Sequence, residues 1–183
     1  MILASQSPRR KELLGFITSD FRVIPAVGEE KVPAGASPEE TVLLLSRQKA
    51  EEIFSDHKGE IIIAADTIVS IDGEILGKPR NETHAFEMLR KLSGRTHSVF
   101  TGVCVIFGDG KIENFAKETK VEFYELSDAE INAYIATGDP MDKAGAYGIQ
   151  EKGAANVKGI VGDFYNVMGL PVGKLARSLR GQI

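Results

Sequence analysis

The apolar positions along this chain alternate between short runs and helix-spaced sets. Residues 2–4 are an apolar run almost at the first residue and predict a strand. Ser7-Pro8 then opens a helix, with the serine as cap and the proline at the first helical position. Leu13 and Leu14 complete it and Gly15 stops it. Residues 21–24 predict a second strand. Ser37-Pro38-Glu39-Glu40 starts a helix that runs to about Ser55, with a capping box between Ser37 and Glu40. Residues 60–65 form an apolar run too short for a helix, bounded by Gly59 and Asp66, and predict a central buried strand. Residues 67–71 and 74–76 flank Asp72-Gly73, a hairpin signal. Residues 81–92 predict a helix ended by Ser93-Gly94. Long strands over 96–107 and 111–124 meet at Gly108-Asp109-Gly110. Ser127 caps a helix over 127–137, with Glu130 in its box and Gly138 as its stop, and residues 171–179 make a last helix.

This order predicts an α/β fold built on a curved mixed sheet with flanking helices. Residues 139–169, rich in Gly and Ala, read as one long loop region, a feature that is usually functional inside a compact domain. The 183 residues fit one domain, or one domain with two lobes, spanning 1–183. With 43% hydrophobic and 26% charged residues the composition is that of a globular protein. The net charge of -4 argues against non-specific nucleic-acid binding, which needs a basic surface, but allows a locally basic pocket for a small anion. Cys104, the single cysteine, lies in a strand-like apolar run and reads as core. With no signal-like start and no apolar stretch long enough to span a bilayer, the expectation is a cytoplasmic protein away from the membrane.

Three places carry candidate chemistry. In Ser5-Gln6-Ser7-Pro8-Arg9-Arg10 a strand ends and a helix begins. Its free N–H groups, two hydroxyls and two arginines suit an anion, although a plain cap with solvated arginines reads equally well. Lys49 shares a helix face with Val42, Leu45 and Ile53, so its ammonium either snorkels out or meets an anion. Asp66 follows an apolar run and is placed at the carboxyl end of a buried strand, where it caps a turn or meets a cation or metal. Glu29-Glu30 in a loop and Lys78 in the turn Gly77-Lys78-Pro79 are weak signals alone. His57, His84 and His97 lack zinc-ligand spacing, and no P-loop, G-x-G-x-x-G or G-x-S-x-G motif is present. As a set, Arg9, Arg10, Lys49 and Lys78 supply cations for a polyphosphate. Asp66 with Glu29 or Glu30 supplies oxygens for Mg²⁺ or Mn²⁺.

Six segments occur in order: Ser5–Arg10, Ala65-Asp66-Thr67, Gly77-Lys78-Pro79, Leu92–His97, Asp142–Gln150 and Gly162–Pro171. Together they resemble the Maf family of nucleotide pyrophosphatases over essentially the whole chain. The resemblance implies a fold with two lobes around a central cleft, similar to inosine triphosphate pyrophosphatases. It implies hydrolysis of a nucleoside triphosphate to the monophosphate and pyrophosphate by metal-assisted water attack on the α-phosphorus. By motif, Asp66 is the proton acceptor, with Lys49 and Lys78 in the catalytic set. Glu30 and Asp66 hold the divalent cation, with Glu29 a further candidate. Ser5, Ser7, Arg9, Arg10, Thr67 and Gln150 bind substrate. Arg10 is assigned to phosphate, and Arg9, Thr67 and Gln150 to substrate choice.

The Ala-Asp-Thr and Ala-Tyr-Gly-Ile-Gln forms resemble the subfamily acting on dTTP and UTP. A Gln150 amide matches the acceptor–donor–acceptor edge of thymine or uracil. Two departures bear on the base pocket: Glu151-Lys152 where the family usually has glycine, and Ala154-Ala155-Asn156 in place of a bulkier apolar stretch. A scavenger of deaminated purine triphosphates and a nucleotide-sensing division regulator remain as alternatives. A nucleotide is the expected partner, and a homodimer is a compatible assembly.

Overall fold

The computed structural model describes residues 1–182. Its elements follow the sequence pattern closely. Strand β1 (Ile2–Leu3) leads to helix α1 (Pro8–Gly15), strand β2 (Arg22–Val23) and helix α2 (Pro38–Asp56). Strands β3 (Ile62–Ile71) and β4 (Glu74–Leu76) precede helix α3 (Glu82–Leu92), the long strands β5 (Thr96–Ile106) and β6 (Ile112–Phe123), and helix α4 (Asp128–Ile135). Strand β7 (Val157–Val161) and helices α5 (Phe164–Met168) and α6 (Val172–Ser178) complete the chain. One mixed sheet runs in the order β2-β1-β3-β5-β6-β7, with β4 pairing β3. β1 lies parallel to both neighbours, with Ile2 opposite Arg22 on one side and Ile62 on the other.

Local chemistry explains the boundaries. Ser37 and Glu40 form the reciprocal capping box of α2, and Ser127 and Glu130 that of α4. Asp72 and Gly73 both take positive φ, 54° and 79°, as a tight turn twisted to match its strands requires, and β3 and β4 pair antiparallel around them.

Two expectations change. β3 runs unbroken through Asp66, so this carboxylate sits inside a ten-residue strand and not at its end. The flanking apolar positions are buried on both sides of Asp66-Thr67, and Ile68 to Ile71 continue the ladder, so a polar pair does not break it. The stretch 139–169 is not one loop. It contains β7, α5 and three 3₁₀ turns. β7 pairs antiparallel with β6, and this partner, remote in sequence, makes a strand of a Gly-interrupted run.

The described chain divides into two compact units, one of residues 1–67, 101–117 and 169–182, the other of residues 68–100 and 118–168. In the first, Ile2, Ala4, Ala50, Ile53, Ile62, Ala64, Cys104 and Ile106 form a core beneath α2. A Cβ on Gly102 would lie 2.2 Å from the Val42 carbonyl oxygen, so only glycine lets α2 rest this closely on β5. Burial pushes the Cys104 thiol up to about 12, so it acts as an inert core residue.

In the second unit α3 buries Ala85, Met88, Leu89 and Leu92, a single helical stripe, against Val69, Val99, Val121 and Phe123. His97 lies in this core. Its ring meets Phe123 and Tyr147 edge-on, at centroid distances of 5.0 and 5.3 Å, and its Nε2 lies 2.7 Å from the Tyr147 hydroxyl. Nδ1 is buried without a partner. Burial lowers the His97 pKa from 6.5 to about 4, so the folded chain keeps it neutral. Between these values the unfolded chain binds the extra proton. The neutral histidine's contribution is therefore complete above pH 6.5 and is lost as pH falls towards 4, on the order of 3 kcal/mol in total. Thermal melts of the wild type and His97→Phe across this range should show a steeper fall for the wild type. Parallel curves would contradict the depressed value.

Candidate active site

The strand-to-helix junction at the N-terminus is an interlocked set of donors and acceptors. The Ser7 hydroxyl caps α1 by accepting from the Arg10 backbone N–H at 3.4 Å. The Ser5 hydroxyl accepts from the Ser7 N–H at 3.2 Å and from Arg10 Nη1 at 3.3 Å. The Arg10 side chain also donates through Nε to the Gly169 carbonyl (2.9 Å) and through Nη2 to Thr67 Oγ1 (3.0 Å). Thr67 in turn shares a 2.9 Å hydrogen bond with the buried Thr101. β1 lies next to β3, so the chain leaving β1 emerges beside Thr67, and α1 carries Arg10 back across it. Loss of water around the guanidinium lowers the Arg10 pKa, an effect opposed by the negative charges of Asp66 and Glu30 and reinforced by the charge of Arg9.

The second focus is Lys49. It projects from the buried side of α2, where Val42, Leu45, Ala50 and Ile53 are buried, and its ammonium meets two carboxylates. Nζ lies 2.5 Å from Asp66 Oδ1 and 2.8 Å from Glu30 Oε1. Lys49 and Asp66 side chains are only 18% and 13% exposed, so neither charge would be tolerated there alone. The anion expected opposite Lys49 is thus supplied first by the protein itself. Glu29 turns away: it pairs with Lys31 at 3.4 Å on the open surface and does not join this group.

Ser5, Ser7, Arg10, Glu30, Lys49, Asp66 and Thr67 all belong to the first unit; Lys78 and Gln150 belong to the second. Lys78 is exposed, and the Gly77 carbonyl of its turn accepts from the Gly145 N–H at 3.0 Å. Gln150 is half-buried and immediately precedes the 3₁₀ turn Glu151–Asn156. The segment leading to it is organised by residues that carry no assigned role in the sequence motifs. Lys143, 13% exposed, donates to the Asp139 carbonyl (2.6 Å), the Asp139 carboxylate (2.9 Å) and the Asp142 carboxylate (2.8 Å). The Tyr134 hydroxyl donates to Asp139 at 3.0 Å and accepts from the Gly148 N–H at 3.2 Å. The spacing of Asp139 and Lys143, and a tyrosine on the apolar face of α4, were the available signals. Thr101 and the Gly169 carbonyl left none, since their partners are remote in sequence.

Among the described residues no three His, Cys, Asp or Glu side chains converge as a metal site. Glu30 and Asp66 nevertheless offer hard oxygen donors on one ammonium. A hexacoordinate Mg²⁺ typically takes one or two carboxylates and completes its shell with phosphate and water. The donor set therefore fits Mg²⁺ or Mn²⁺ delivered with a polyphosphate and does not make an all-protein cage.

The model for Maf-like proteins matches residues 1–182. The chain belongs to the Maf family. A Bacillus velezensis protein named dTTP/UTP pyrophosphatase is 52% identical over 180 residues, 98% of this chain and 95% of that protein. A Bacillus mycoides protein of the same name is 47% identical, over 98% of this chain and 94% of its own length. Among solved structures, the Ham1 protein of Staphylococcus aureus superposes over 100% of this chain and 98% of its own, with a TM-score of 0.53 at 17% identity. A HAM1 protein from Coxiella burnetii covers 97% of this chain and 96% of its own, with a TM-score of 0.52 at 16% identity. These likenesses concern the fold alone.

The segment 151–156 has a physical reading of its own. Ala154 and Ala155 are exposed, so small residues there leave no hole in the core. Glu151 sits at φ 55°, the left-handed region that glycine adopts freely and a side chain adopts at a cost. Replacing it by glycine should remove strain. Glu151→Gly is expected to stabilise the fold by about 1 kcal/mol, read as a higher Tm. A lower Tm would show that the glutamate is held by interactions worth more than the strain.

Proposed function

We propose that this chain is a nucleoside triphosphate pyrophosphatase that releases pyrophosphate from dTTP and UTP, acting as one catalytic domain over its whole length. Near-complete alignment with proteins of that name supports the reaction class. The arrangement of Lys49 against Asp66 and Glu30 carries the chemical reading. Two carboxylates and several cations gathered on the first unit suit a substrate that brings both a polyphosphate and a metal.

In this reading Glu30 and Asp66 hold the divalent cation, which when bound neutralises phosphate charge and lowers the pKa of water. Asp66 orients the water aimed at the α-phosphorus and receives its proton. A carboxylate is a weak base at neutral pH, so orientation is the larger part of its task. Lys49 shifts its ammonium from carboxylate towards phosphate. Arg10 has guanidinium N–H groups beyond its three protein bonds and is held rigidly enough to offer them to the same anion. Ser5 and Ser7, at the start of α1, add hydroxyl donors, and Lys78 adds charge on the leaving pyrophosphate. Catalysis is then mainly positioning and charge neutralisation.

Thr67 acts on substrate choice through Arg10, which it touches, and Arg9 through its neighbouring charge. Gln150 reads the base: its amide pairs with the N–H and one carbonyl of thymine or uracil. A cytosine edge reverses the donor and the acceptor at those two positions, so an amide held in the orientation that suits uracil does not pair with it.

Two measurements test this reading. Asp66→Asn should lower kcat for dTTP by at least about a hundredfold with the fold intact; near-normal turnover would sink the assigned role. Gln150→Ala should lower kcat/KM for dTTP about tenfold or more while leaving dCTP nearly unaffected. Equal losses on both nucleotides would remove Gln150 from base recognition.

A further inference from the structure

We propose that Gln48 and Glu52 are positioning residues that hold Glu30 in place, so that one turn of α2 sets the geometry of the carboxylate pair. The inference rests on the reading of Glu30 as a metal-holding carboxylate. Glu30 lies in an exposed stretch, residues 27–35, outside any strand or helix. A carboxylate on so open a segment would be a poor metal ligand unless something fixed the backbone beneath it.

The structure shows such a fixture on both sides of Glu30. On one side, Glu52 Oε1 accepts from the Val27 N–H at 2.8 Å, and both its oxygens accept from the Gly28 N–H, at 3.1 and 3.0 Å. On the other, the Gln48 amide pairs with both polar groups of the Lys31 peptide. Its Oε1 accepts from the Lys31 N–H at 3.0 Å, and its Nε2 donates to the Lys31 carbonyl at 2.6 Å. Between these anchors the Glu30 carboxylate reaches Lys49 Nζ at 2.8 Å. Gln48 and Glu52 are four apart in α2 and share one face, while Lys49 is one step round the helix. The helix therefore acts as a ruler: two side chains grip the loop backbone and the next one meets its carboxylate. A Cβ on Gly28 would fall 2.7 Å from Glu52 Oε2, so the Glu52 carboxylate lies directly against this part of the loop.

Gln48 and Glu52 are both only half-buried and lie outside the apolar core, so their loss should not unfold the chain. The test uses the full chain with Mn²⁺ and a non-hydrolysable α,β-imido analogue of dUTP, with free Mn²⁺ read by electron paramagnetic resonance. Gln48→Ala and Glu52→Ala should each weaken Mn²⁺ binding about tenfold. Glu52→Gln should stay closer to the wild type, because its amide oxygen still accepts a backbone N–H. In the alanine variants the amides of Val27, Gly28 and Lys31 should exchange hydrogen faster, with the Tm nearly unchanged. If Glu30→Gln weakens Mn²⁺ binding and the two alanine variants do not, the positioning role is overturned and the metal role of Glu30 stands. If Glu30→Gln itself leaves Mn²⁺ binding unchanged, the metal reading of Glu30 fails and the positioning inference fails with it.

Discussion

A lysine ammonium shared by two carboxylates is the interaction on which the first unit depends. Lys49 and Asp66 are largely withdrawn from water, and each would be costly without the other. Glu30 completes the group from a more open position, 53% exposed. Three elements converge to make this triad: β3 supplies Asp66 from its middle, α2 supplies Lys49 from its buried side, and the segment between β2 and α2 supplies Glu30. The close packing of α2 on β5 at Gly102 sets the helix near enough to the sheet for Lys49 to reach β3. The same charges that make the triad costly to bury make it responsive. A group held only by mutual attraction can be re-paired by a ligand that brings charges of its own.

Arg10 forms a second network through Thr67, the residue that follows Asp66. It binds a backbone carbonyl, a serine and a threonine, three partners from three parts of the chain. Its guanidinium is therefore aimed before any substrate arrives, and a preorganised cation loses little freedom on meeting phosphate. A lysine at this position would keep the charge and lose the fork. Thr67, bonded to both Arg10 and Thr101, transmits the register of β3 and β5 to the arginine.

The second unit uses a different device. Its Gly- and Ala-rich segment is tied together by the nearly buried Lys143, which places all its hydrogen bonds on Asp139 and Asp142, and by the Tyr134 hydroxyl. Small residues let the backbone approach closely enough for this: a Cβ on Gly153 would meet the Gly148 carbonyl at 2.1 Å. A segment that reads as loose in composition is thus internally fixed up to Gln150, and the strained Glu151 directly follows it.

The sequence by itself determined the helices and their caps, the hairpin at Asp72-Gly73, the apolar strands and the family. These depend on neighbours within a few residues, or on motifs that read in order. It also flagged Lys49 as a charge on an apolar face that either snorkels out or meets an anion. Only the tertiary structure decided which anions those are, that Asp66 lies within a strand, that Glu30 joins the pair while Glu29 does not, and that 157–161 is a strand. Each of these depends on a partner far away in sequence, whose position follows from strand register and helix packing and not from local preference. Periodicity reports which way a side chain faces, and only packing reports what it meets there.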